Sequence, residues 1–201
     1  MILAFDTSSA ACTAALFDGD GNCVACADEV IGRGHAERLV PLIAELLDGR
    51  RAEQILVGVG PGSFTGIRVG IAAAHGLAIG WNAELAGLDS LALLAASARG
   101  APVATAVVGG HGELFVQEFD ASGTPMSELV SLPRHEAAAV IKAPLVIGSA
   151  AAELVESRGR GEARDALPAA SNALALPPAL RSLAAKPVYA RAPDAKIKAA
   201  A

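Results

Sequence analysis

Two short stretches carry residue types that could handle a phosphate. The first is Asp6-Thr7-Ser8, at the end of the apolar run Met1 to Phe5. A carboxylate and two hydroxyls at a strand end could orient metal-bound water towards a phosphoryl group. The same residues could simply close a turn, because an Asp side chain bonds its own backbone two residues on. On the residues alone, the turn is the simpler reading. The second stretch is Gly60-Pro61-Gly62-Ser63, after the apolar run Ile55 to Val59. Gly60, Gly62 and Gly66 are spaced one residue off the dinucleotide fingerprint, and no Gly-Lys-Ser/Thr supplies a Walker lysine. Ser63 has Pro61 and Thr65 two residues away, where a nucleophile elbow needs glycines.

Other chemistry is thin. His35, His75, His111 and His135 are far apart, so no His-x-x-x-His metal pair exists. No Ser, His and acid grouping announces a protease. Cys23 and Cys26 form a single C-x-x-C, and Cys12 stands apart. Positions three apart on a regular strand point to opposite faces, so neither metal nor redox use is expected of the pair.

The elements that must position these residues read in an α/β order. Three strands open the chain: Met1 to Phe5, Ala11 to Phe17 and Asn22 to Val30, with a hairpin at Asp18-Gly19-Asp20-Gly21. An amphipathic helix follows over His35 to Asp48, with Pro41 inside it. After the strand Ile55 to Val59, a helix capped by Ser63 or Thr65 runs to about Gly80. It is apolar nearly all round, so it is buried nearly all round. Gly66, Gly70 and Ala74 line one face of it at four-residue spacing, which predicts a close approach by another backbone, from the same chain or from a partner. Each interior Gly costs about 1 kcal/mol relative to Ala. Ala83 to Leu88 reads as a strand and Asp89 to Arg99 as a helix.

Gly100-Ala101-Pro102 marks a lobe boundary, giving lobes over 1–100 and 101–185 and a basic tail over 186–201. In the second lobe, strands are predicted at Val103 to Val108, Glu113 to Phe119 and Pro144 to Ile147. Helices are predicted at Pro133 to Ile141, Ala150 to Ser157 and Asn172 to Ala184, with a mobile charged loop at Arg158 to Arg164. The hairpin after Val108 offers Gly109-Gly110-His111 and no carboxylate before Glu113. The tail holds Lys186, Arg191, Lys196 and Lys198 against Asp194.

Composition narrows the function classes. The chain of 201 residues has a net charge of -5 and only 3% aromatic residues. It lacks the basic face of a protein that grips nucleic acid alone, and a base-stacking surface is unlooked for. Asp6 interrupts the N-terminus, so no signal peptide is expected, and the apolar stretch Ile67 to Trp81 is too short to span a bilayer. A cytoplasmic protein without membrane contact is the expectation.

Gly60 to Gly70 reads Gly-Pro-Gly-Ser-Phe-Thr-Gly-Ile-Arg-Val-Gly, and Ile2 to Ser8 reads Ile-Leu-Ala-Phe-Asp-Thr-Ser. Together with His35 to Ile43 and Pro187 to Lys196, these motifs resemble the TsaB (YeaZ) family. The resemblance implies an α/β, two-lobed actin-like (ribonuclease H-like) fold with mixed sheets and a reduced second lobe. It implies a non-catalytic subunit that pairs with TsaD, works with the ATPase TsaE, and serves formation of N6-threonylcarbamoyladenosine at adenine 37 of tRNA. The tRNA would be met only through the complex, and the free protein would form a homodimer. The partner face would comprise His35, Leu39, Leu42, Ile43 and Leu46 of one helix and Gly66, Arg68, Gly70, Ala73, Ala74 and Leu77 of the other. No cofactor or metal is required, but ATP or ADP could sit at the partner interface against a vestigial loop of Asp6, Thr7, Ser8, Gly60, Gly62 and Ser63. Relatives often carry Asp-Ala-Arg where this chain has Gly109-Gly110-His111. Two alternatives stand beside this: a small ATPase or kinase using Asp6 and the Gly60-Gly62 turn, and an M22-type peptidase-family homodimer.

Overall fold

The computed structural model describes residues 1–190. The tail residues Arg191, Asp194, Lys196 and Lys198 lie outside the described residues. Two five-stranded sheets organise the chain. The first contains β1 (Ile2–Asp6), β2 (Ala11–Phe17), β3 (Cys23–Val30), β4 (Gln54–Gly58) and β5 (Glu84–Leu88), in the order β3-β2-β1-β4-β5. The hairpin strands β2 and β3 are antiparallel, while β1, β4 and β5 run parallel. Parallel neighbours need crossovers, and α1 (His35–Leu47) and α2 (Phe64–Trp81) supply them.

Every residue of β2 is buried, because the sheet is covered on both sides. Cys12, Ala14 and Leu16 face the core under α1 and α2, while Ala15 and Phe17 face a second core. Small alanines let covering layers approach a sheet closely. Arg38 of α1 ties its helix to β3 by a two-pronged ion pair with Glu29, at 2.7 and 2.6 Å, and also holds Glu45. Its guanidinium keeps both carboxyls below the usual glutamate range.

The second sheet contains β6 (Val103–Gly110), β7 (Glu113–Phe119), β8 (Val130–Pro133), β9 (Leu145–Ile147) and β10 (Glu162–Arg164), in the order β10-β9-β6-β7-β8. Helices α4 (Arg134–Val140) and α5 (Ala151–Arg158) cover one side of it. Helix α3 (Ser90–Ala95) sits between the lobes, with all six residues buried.

Three expectations need correction here. The charged stretch Arg158 to Arg164 is no mobile loop: its last three residues are β10, paired in parallel with β9. Charges are what an exposed edge strand carries, so composition misled. The final helix over Asn172 to Ala184 is absent. Two short 3-10 turns, Ala170–Ala175 and Pro178–Leu180, stand in its place. Pro177-Pro178 withholds backbone donors and biases the preceding residue away from helix. The lobe boundary at 185 also fails. Ala170, Ala173 and Leu176 share a core with Ala4, Ala15 and Phe17 of the first sheet and Val103, Phe119 and Ile147 of the second. The Ala170 N–H donates to Thr13 Oγ1 at 2.7 Å, and Leu183 bridges to Gly87 on the edge strand β5. The described stretch from Ala170 to Leu183 therefore packs onto the first lobe.

The glycine stripe of α2 approaches its own chain. A Cβ on Gly66 would fall 1.9 Å from the Thr7 carbonyl oxygen, and one on Gly70 would fall 2.6 Å from Thr7 Oγ1. Thr7 Oγ1 donates to the Gly66 carbonyl at 2.7 Å, closing the seam. By contrast, a Cβ on Gly76 or Gly80 meets nothing within 4 Å. Gly66→Ala should therefore destabilise the protein by about 1–3 kcal/mol through overpacking. Gly76→Ala should stabilise it by up to about 1 kcal/mol through helix propensity. Urea titration of the two variants, followed by circular dichroism, checks both signs.

Candidate functional site

The loops after β1, β4 and β5 meet at Asp6. These are the carboxyl ends of the parallel strands, where α/β sheets place their ligands. Asp6 is completely buried. Its Oδ1 accepts from the Ser8 amide and the Ser8 hydroxyl, each at 2.7 Å, forming the turn that Asp residues favour. Its Oδ2 accepts from Ser90 Oγ at 2.6 Å. Ser90 Oγ in turn accepts from the Gly60 amide at 3.1 Å, and the Ser90 amide donates to the Gly60 carbonyl at 3.0 Å. The Ser63 amide donates to the Ser8 carbonyl at 2.6 Å. A buried carboxylate is tolerable only when donors replace its water, and short charge-assisted bonds do so here. Space is tight throughout: a Cβ on Gly58 would collide with the Asp6 carboxyl, and one on Gly62 with Ser8.

Asp89, next to Ser90, caps α3 by accepting from the Ala92 amide at 2.8 Å. Burial pushes its carboxyl up, and the charge of Asp6 adds to this; the amides of Ala92 and Leu91 pull it back.

A cavity of about 820 Å3 opens beside this knot, between the lobes. Ser8, Gly62 and Ser63 line its first-lobe wall, and Val108, Gly109 and His111 line the facing wall. Of the six residues read as a nucleotide loop, Asp6, Thr7 and Gly60 do not line it. Its described lining contains no Asp, Glu, Lys or Arg, so it offers no carboxylate to a magnesium ion and no lysine or arginine to a phosphate. Among the described residues, no three His, Cys, Asp or Glu side chains gather as a metal site.

One rim of the cavity was not foreseen. Val188, Tyr189 and Ala190 lie along it, anchored by the Val188 amide on the Val59 carbonyl at 2.8 Å. Tyr189 stacks on Phe64 with ring centres 5.4 Å apart. The Arg68 guanidinium lies 3.6 Å over the Phe64 ring and donates from Nε to the Tyr189 hydroxyl at 3.0 Å. Nothing in the spacing of residues 64, 68 and 189 signals this stack, and Ser90 likewise gave no sign of closing on Asp6.

The outer face of α1 and α2 is a separate feature. His35, Leu39, Leu42 and Ile43 of the expected partner face are buried in the protein's own core, as are Gly66, Gly70 and Ala74. His35 is held by its Nε2 beside the Ala11 carbonyl at 3.2 Å. The helical period was right, but it picked the inward stripe. Leu46, Ala73 and Leu77 are half-buried, and Arg68 is exposed. What α1 and α2 present outward is Val40, 53% exposed, Ile79, 84% exposed, and the open positions Ala72, Gly76 and Gly80.

A family model described as TsaD, tRNA N6-adenosine threonylcarbamoyltransferase, matches residues 28–176. The chain belongs to this family, on its TsaB (YeaZ) branch. It is 37% identical over 127 residues to the tRNA threonylcarbamoyladenosine biosynthesis protein TsaB of Escherichia coli, covering 59% of this chain and 54% of that protein. It is 36% identical over 103 residues to TsaB of Haemophilus influenzae, covering 48% and 42%. The chain thus spans about half the length of the curated relatives it matches. YeaZ from Pseudomonas aeruginosa superposes with a TM-score of 0.76 at 28% identity, covering 94% of this chain and 98% of that one. EutJ from Carboxydothermus hydrogenoformans shares the fold at a TM-score of 0.51 and 16% identity. The two-lobed actin-like architecture expected from the motifs is the one found. No helix among the described residues is long and apolar enough to cross a membrane.

Asp6→Ala strands the hydroxyls of Ser8 and Ser90 in a buried site and should cost about 2–3 kcal/mol, measured by urea unfolding. Asp89 binds its proton more tightly folded than unfolded. It therefore favours folding while protonated, and this contribution is lost as pH rises through its folded pKa. Asp89→Asn keeps a capping oxygen, so the stability of the variant relative to the parent should rise with pH across the carboxylate range in parallel melts.

Proposed function

We propose that this chain is a non-catalytic TsaB-type subunit. It pairs with TsaD, acts with the ATPase TsaE, and supports formation of N6-threonylcarbamoyladenosine at adenine 37 of tRNA in the cytoplasm. Family membership supports the pathway. The commitment of Asp6 to internal hydrogen bonds supports the lack of chemistry of its own: this is the acid that a small ATPase or kinase would need, and it already accepts three hydrogen bonds from Ser8 and Ser90. The net charge of -5 supports contact with tRNA through the complex rather than directly.

The observation that carries the pairing is the outer face of α1 and α2. Ile79 stands almost fully exposed beside Gly76 and Gly80, where another helix could come close. Isolated exposed apolar residues are ordinary, but here the open glycines Gly76 and Gly80 flank Ile79 on the same helix. The free protein would cover this face with a second copy, and TsaD would displace that copy. ATP or ADP, if the complex holds it, would lie at the joint with TsaD, which can bring the charged groups that the cavity lining lacks.

Formation of modified tRNA by the cognate TsaD, TsaE and adenylate-forming enzyme should depend on adding this chain. Equal product without it would overturn the proposal. Ile79→Glu should weaken pairing with TsaD at least about tenfold, or 1.4 kcal/mol, by calorimetry, with an unchanged melting temperature. Gly70→Leu is unsuitable for this purpose, because it would strike Thr7 within the lobe.

A further inference from the structure

The single C-x-x-C lies on β3, and β3 is not a regular strand. Its register with β2 sets Phe17 opposite Cys23, Leu16 opposite Ala25 and Ala15 opposite Cys26. Val24 is therefore an extra residue, a β-bulge, between the two cysteines. The bulge cancels the alternation that would otherwise separate them. Cys23 and Cys26 stand opposite β2 residues two positions apart, on the same side of the sheet as Thr13 and Asp28. Two strand steps span about 6.6–6.8 Å, against about 10 Å for three regular ones. A disulfide joins residues whose Cα atoms lie up to about 6.8 Å apart.

Both thiols are exposed, and the Cys23 thiol donates to the Ala25 carbonyl at 3.5 Å. β3 is an edge strand, free on its outer side to draw in slightly as a bond closes. The third cysteine is different: Cys12 is buried on the opposite face, where burial pushes its thiol up to about 11. Asp28 accepts from Thr13, and no third ligand joins the pair to make a metal cluster among the described residues.

We propose that Cys23 and Cys26 form an oxidisable dithiol site that closes reversibly to an intramolecular disulfide by exchange with a small-molecule disulfide of the glutathione type. One thiolate attacks a sulfur of the small disulfide, forming a mixed disulfide and releasing one small thiol. The second thiolate attacks the protein sulfur of that mixed disulfide and releases the other small thiol. Two protein thiols are oxidised, and one small disulfide is reduced to two thiols. Burial and the neighbouring Cys26 hold the Cys23 thiol above the ordinary range. The exchange is accordingly slow near neutrality and quickens about tenfold per pH unit as thiolate forms.

The test uses the full chain in glutathione buffers from reducing to oxidising, quenched with acid. Remaining thiols are alkylated under denaturing conditions and the intact mass is read. The expected product carries one alkyl group, on Cys12, is about 2 Da lighter at the other two cysteines, and is restored by dithiothreitol. Cys23→Ser and Cys26→Ser, both at exposed positions, should each hold one glutathione at the same poise instead. The proposal is overturned if the parent chain keeps three alkylatable thiols where the serine variants are glutathionylated. It is equally overturned if the parent accumulates two glutathiones or links into dimers.

Discussion

The buried carboxylate of Asp6 is the interaction on which the rest of the first lobe depends. It sits at the end of β1 and binds Ser8 locally and Ser90 from 84 residues away. Through Ser90 it reaches Gly60, and through the Ser8 carbonyl it reaches Ser63, the cap of α2. Three strand ends and the starts of two helices are thus tied to one charge. Because a buried charge without donors is costly, the loops have little freedom to be anywhere else. The Asp6 carboxyl accepts from Ser8 and Ser90, and the cavity alongside has no Asp, Glu, Lys or Arg in its described lining.

The same economy explains the glycines of α2. Gly66 and Gly70 are small so that the helix can lie against Thr7, with a hydroxyl-to-carbonyl hydrogen bond across the contact. Bringing α2 so close to the sheet fixes which way its other side points. Gly76, Gly80 and Ile79 follow on the solvent side. One helix therefore carries two sets of small residues, and only one set is internal.

The lobes are not independent bodies. Helix α3 and the turn at Ala170–Ala175 place apolar side chains between the sheets, and a single core joins Ala4 and Phe17 to Phe119 and Ile147. The chain then returns along β5 and ends its described course with Tyr189 stacked on Phe64. The floor and one rim of the cavity are consequently made by residues more than 100 positions apart in sequence.

The sequence by itself determined the order of strands and helices up to Leu88, the capped glycine-rich helix, the turn at Asp6 and the family. These are local matters: apolar period, turn chemistry and a motif of eleven consecutive residues. Tertiary structure decided which face of each element looks inward. His35, Leu39 and Gly70 were legible as special, yet only packing shows that they serve the core. Periodicity finds a stripe but does not say whether a sheet or a partner covers it. The edge strand Glu162–Arg164 was illegible because its backbone pairs with β9 while its side chains remain in water. Likewise, Cys23 and Cys26 share a face only because β2 imposes a register in which Val24 is surplus. Register is a relation between two strands, and one strand's residues cannot contain it.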